Sequence, residues 1–260
     1  MGTWSRHALV IIALIPFAAN AQVDLRTLDH DMKGSRAKVA VLGTVHLRSM
    51  PAGFHVSSLD RVLDRLAAFG PDIITIEAEN GEECDLAARH VANYGANYCA
   101  STDAAMAATK LDVPTALSEV DKSLKTWSAQ PTPAQRRRLA ALFLAANDRA
   151  SAYVQWLQLP DAERHAGDTL NDALVTMLGD IAKRNNEDYQ LGARLAARLG
   201  LLRVYAVDNH TGDHIDVPDI KAFVKSIDAA WSAGADGEKE SRKQETALSQ
   251  AADLLPLYLS

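Results

Sequence analysis

Residues 38–47 read KVAVLGTVHL, from Lys38 to Leu47. A short β-rich apolar run, Lys38 to Leu42, stops at Gly43, and the imidazole of His46 follows three residues later. The pattern predicts a buried strand that leaves its sheet at Gly43 and carries Thr44 and His46 just past its carboxyl end.

Working outward, the same grammar recurs. Ser57 or Ser58 can cap a helix whose apolar positions Leu59, Val62, Leu63 and Leu66 share one face. "GPD" at 70–72 punctuates the chain, and "IITIE" from Ile73 to Glu77 reads as a second strand. Strand, helix, strand is the βαβ unit of a parallel sheet. A third strand, "RVYAVD", runs from Arg203 to Asp208 directly after a helix carrying Leu191, Leu195 and Leu199 that ends at Gly200. The fold class this predicts is α/β, a mainly parallel sheet flanked by helices, with a helical insertion over about residues 100–183. Inside that insertion Thr132, Pro133 and Gln135 form an N-cap, a first-turn proline and a capping box. One long helix is expected from there to Pro160, and a second ends near Lys183. Val217 to Trp231 is a further amphipathic helix, with Ile220, Phe223, Val224 and Ile227 on one side.

The ends and the totals set the context. Residues 1–21 combine Arg6, a short apolar run from Ala8 to Ala18, and small residues at Ala19 and Ala21. That reads as a secretory signal peptide cut after Ala21, and it predicts a periplasmic or secreted protein with no membrane span after cleavage. Residues 22–37 form a polar lead-in, and 38–260 a single domain. A formal net charge of −6 argues against nucleic acid as a partner and leaves a small molecule or peptide as the expected one. Cys84 and Cys99 are the two cysteines. In an oxidising compartment they can pair, closing a loop worth about 3 kcal/mol.

Each predicted strand ends in a chemically capable residue: His46 after the first, Glu77 with Glu79 at the second, Asp208 with His210 and His214 at the third. Parallel sheets gather such residues beyond their carboxyl ends. His46, Glu77 and Asp208 could there bind a divalent metal that activates water, or act without metal as a base and its orienting partner. Taken singly, each has an ordinary structural role: a helix cap for Glu77, a turn for Asp208, a satisfied loop histidine for His46. His210 and His214 have metal-ligand spacing only on a helix, which Gly212 disfavours. Arg184 and Asn185 stand near a helix start, where an anionic substrate group could bind. No G-x-S-x-G, G-x-x-x-x-G-K, H-E-x-x-H or G-x-G-x-x-G occurs. That argues against a common serine esterase, a P-loop ATPase and a Rossmann oxidoreductase.

"VLGTVHL", "DIITIE" and "RNNEDYQLGARLAARLGLLRVYAVD" together resemble an uncharacterised bacterial family with a G-T-x-H motif after its first strand. More distantly they resemble the TraB/PrgY/GumN group, with its TIKI, EreA-type and ChaN-like relatives. By that resemblance Gly43 and His46 match the first G-x-x-H, Glu77 the strand-end glutamate, and Arg184, Asn185 and Asp208 positions of the closer family. The resemblance implies an α/β core with a hydrolytic, metal-dependent or ligand-binding site, a haem-like ligand being the non-catalytic alternative. Those families carry a second G-x-x-H motif, which has no counterpart here after residue 214. Either the chain is truncated at its C-terminus, and then inactive if the site needs the second histidine, or this branch dispenses with the motif.

Overall fold

The computed structural model describes residues 33–44, 46–50, 53–210, 212, 217–232 and 252–259. The expected signal peptide and His214 lie outside them. Residues Met1–Val41 and Leu42–Ser260 are separate compact units. The described part of the first, residues 33–41, has no helix or strand and is exposed throughout.

The expected mainly parallel sheet is overturned. Among the described residues the sheet has two strands of two residues each, β1 (Thr75–Ile76) and β2 (Tyr205–Ala206). They pair in parallel, Thr75 with Tyr205 and Ile76 with Ala206. The amides of Val207 and Asp208 carry the ladder on to the carbonyls of Ile76 and Ala78, at 3.1 and 3.2 Å. Most of the remaining structure is helical: α1 (Asp60–Phe69), α2 (Gly81–Arg89), α3 (Val91–Tyr94), α4 (Asp103–Thr109), α5 (Val113–Lys125), α6 (Pro133–Ala145), α7 (Arg149–Leu157), α8 (Asp172–Lys183), α9 (Arg194–Arg198) and α10 (Ile220–Ser232). What reads as an insertion is the body of the fold.

Two physical reasons account for the difference. Lys38 to Leu42 forms no strand, and Val39 and Val41 are 79% and 91% exposed, so their alternation covers nothing. The backbone leading into β2 is satisfied by side chains of α7 instead of a strand. Ser151 Oγ donates to the Val204 carbonyl at 3.1 Å and accepts from its amide at 3.2 Å. Gln155 Nε2 and Gln158 Nε2 donate to the carbonyls of Leu202 and Leu201, at 2.6 and 2.7 Å. Residues 151, 155 and 158 share one helical face, so a helix takes the place of a third strand.

The predicted capping box is present at the start of α6. Gln135 donates its amide to Thr132 Oγ1 at 3.2 Å, and Thr132 its amide to Gln135 Oε1 at 2.8 Å. The single long helix expected up to Pro160 is instead two. Asn147 takes a left-handed φ of 59°, and Asp148 then caps α7 by accepting from the Ser151 amide at 2.9 Å. Leu139 to Ala146, Ala150, Ala152, Val154 and Trp156 form the main core with Leu170, Leu174, Leu178 and Ile181. A second cluster joins Leu47, Leu59, Val62 and Leu63 to Leu191, Leu195 and Leu254. α10 has no buried residue.

Candidate active site

Beyond the carboxyl ends of β1 and β2 lies a cavity of about 440 Å³, within the usual size of small-molecule sites. Its floor is the strand exit, Ile76 to Glu79 and Tyr205. Asn80 caps α2 there through a second capping box, accepting from the Glu83 amide at 2.9 Å while its own amide donates to Glu83 at 3.2 Å. That cap turns the chain sharply after Glu79 and leaves Glu77 and Glu79 on the cavity wall.

Three other elements close the cavity. The α6–α7 turn contributes Asn147, Asp148 and Arg149. It sits so near the start of α2 that a Cβ on Gly81 would fall 2.1 Å from the Ala146 carbonyl oxygen. The Cys84–Cys99 disulfide, Sγ–Sγ 2.01 Å, forms another part of the wall. The fourth part is a π-helical turn, Asp188–Ala193, placing Asp188 and Tyr189 at the cavity. A Cβ on Gly192 would lie 2.6 Å from Ile76 Cγ2, so only glycine lets this wider turn rest on β1.

Asp188 is electrostatically distinct. Burial pushes its carboxyl up to about 6; a hydrogen bond with Asn186 opposes the rise, and the negative charges of Glu187, Glu77 and Glu79 add to it. Burial also raises Tyr189 and Asp148, the latter opposed by the Ser151 hydrogen bonds and Arg203. Arg149 donates to the Ser101 carbonyl at 3.0 Å, and burial lowers its pKa. Arg203 lies against two rings, its guanidinium carbon 4.8 Å from the Tyr205 centroid and 5.5 Å from that of Phe143.

The residues expected from sequence do not converge on one place. Glu77 lines the cavity. His46 does not; its Nδ1 is 2.8 Å from Glu187 Oε1, and the Leu47 amide donates to Glu187 Oε2 at 3.2 Å. His46 therefore braces the residue before Asp188. Asp208 pairs with His210, Oδ2 to Nε2 2.6 Å, outside the cavity wall. Arg184 and Asn185 are exposed at the end of α8, and Gly43 is exposed with open space around it. Among the described residues no three His, Cys, Asp or Glu side chains are grouped so as to hold a metal ion. His46, Glu77 and Asp208 are therefore not brought together as one ligand set among the described residues. Asp188, Arg149 and Arg203 went unread in the sequence; the available signals were an acid inside the "RNNEDYQ" run and an arginine opening an apolar strand.

Fold and site together define a helical protein with a polar, ligand-sized cavity at the end of a minimal parallel sheet. No family model, curated protein or solved structure matches the chain.

Proposed function

We propose that this chain is an exported hydrolase of small amides or esters, working through carboxyl acid–base chemistry in the cavity beyond β1 and β2. The observation that carries the reading is the meeting of Glu77 and Asp188 on one cavity wall, with Asp188 buried among other acids. Two carboxyls on one wall, with Asp188 held protonated to higher pH by its surroundings, can divide acid and base work. Glu77 takes a proton from water as the resulting hydroxide forms a bond to the substrate carbonyl carbon. Protonated Asp188 gives its proton to the leaving nitrogen or oxygen as the bond from that atom to the carbonyl carbon breaks. Solvent then restores both carboxyls. His46, through Glu187, is a positioning residue for the π-helical turn. Export is supported by the basic start, the apolar run and the Ala-x-Ala site of residues 1–21, together with the Cys84–Cys99 disulfide. Among the described residues no helix is long and apolar enough to cross a membrane.

The test is hydrolysis of a panel of dipeptides, N-acyl amino acids and amino-acid p-nitroanilides, scored by release of free amine between about pH 5 and 8. Activity should fall on the alkaline side as Asp188 loses its proton, and Asp188→Asn or Glu77→Gln should each reduce it by about 10²-fold or more. Turnover that survives both substitutions, or no turnover on any member of the panel, would sink the reading.

A further inference from the structure

Among the described residues, Arg137 and Arg203 differ in how their donors are used. Arg137 is structural: its Nε donates to Asp168 at 2.9 Å, and one terminal nitrogen to the carboxylate and carbonyl of Glu163 at 2.8 and 3.1 Å. Arg164 likewise donates to the carbonyls of Trp156, Leu159 and Leu157. Arg203 is different. It has one long hydrogen bond, 3.4 Å to Asp148 Oδ2, and its buried Nε–H has no acceptor among the described residues. A guanidinium has five donors. Here it lies against two aromatic faces with its Nε–H unpartnered, on the wall of a cavity. The next residue after its Asp148 partner, Arg149, lines the same cavity. An unpartnered guanidinium donor of this kind suits a carboxylate.

The other charges of the wall are negative. Glu77, Glu79, Glu82, Asp121, Asp148 and Asp188 line the same cavity as the two arginines. Among the described residues no ion pair holds Glu77 or Glu79. A purely anionic ligand would meet repulsion from these acids, and a simple amine would leave Arg203 unsatisfied.

We propose that the cavity binds an α-amino acid with a basic side chain, or a short peptide ending in one, its carboxylate on Arg203 and its ammonium groups toward Glu77 and Glu79. This rests on the reading of the cavity as the working site and names its substrate class.

Isothermal titration of the full-length protein with L-lysine, cadaverine, L-norleucine and L-glutamate tests it. Lysine should bind. Cadaverine, which lacks the carboxylate, and norleucine, which lacks the side-chain amine, should each bind about tenfold more weakly or worse, and glutamate weakest. Arg203→Gln should cost lysine about tenfold while leaving cadaverine unchanged. The ligand series needs only the unaltered protein, so a variant that fails to fold does not decide the matter. No binding of lysine, or equal binding of cadaverine or glutamate, overturns the inference. Lysine binding without hydrolysis of the panel sinks the hydrolase reading and keeps the ligand class. Hydrolysis that lysine does not inhibit does the reverse.

Discussion

α6 and α10 are each thirteen residues long, and they invert what their patterns promise. α10 carries a clean stripe, Ile220, Phe223, Val224, Ile227 and Trp231, yet every residue of it is exposed. α6 mixes three arginines with alanines and leucines and shows no clean stripe, yet Leu139 to Ala145 are all buried. Periodicity decides that a helix can form, and its neighbours decide which face is covered. α6 is packed by α4, α5 and α7, and its alanines let those helices come close.

The sharpest way to break this comparison is Phe143→Ala. Phe143 is fully buried in the last turn of α6 and also supports Arg203. Truncation should cost about 3–5 kcal/mol, read from urea unfolding. A loss below about 1 kcal/mol would mean that α6 is not the centre of the core.

Asp188→Asn compares the core with the site at its edge, and its expected effect is smaller and of opposite sign. The carboxyl rises from its ordinary 3.8 to about 6 in the fold. Between those values the folded chain keeps a proton that the unfolded chain has released, so stability falls as pH rises through that window. Above it the fold has lost up to roughly 3 kcal/mol. Asp188→Asn should therefore raise stability at about pH 8 and leave it unchanged at about pH 3.5. Thermal unfolding at both pH values decides; a variant destabilised at the higher pH would contradict the burial of an ionised Asp188.

The helices were the legible part because their signals are local. Thr132, Pro133 and Gln135 announce the start of α6 within four residues, and Leu59, Val62 and Leu63 mark the buried face leading into α1. The sheet was not legible, since a strand exists only if a distant backbone meets it. Nothing in Lys38 to Leu42 reveals that it finds no partner, and nothing in Ser151, Gln155 and Gln158 announces that they hold the backbone before β2. Glu77 was readable as a strand-end acid. Asp188 was not, because its character comes from burial on a π-helical turn that depends on the contact of Gly192 with Ile76.

The smallest effect belongs to α10, and it is the most discriminating about that helix. Phe223→Ser removes a large apolar side chain from a stripe that the described residues leave uncovered. With no packing to lose, the change should be about 0.5 kcal/mol or less, set by helix propensity alone. The same substitution at Leu178, fully buried on the stripe of α8, would leave a cavity and bury a hydroxyl, at a cost of several kcal/mol. Paired urea titrations of the two variants should differ in midpoint while sharing a slope. A loss of about 2 kcal/mol at Phe223 would show that the α10 face is covered in solution, and would make α10 and α6 alike after all.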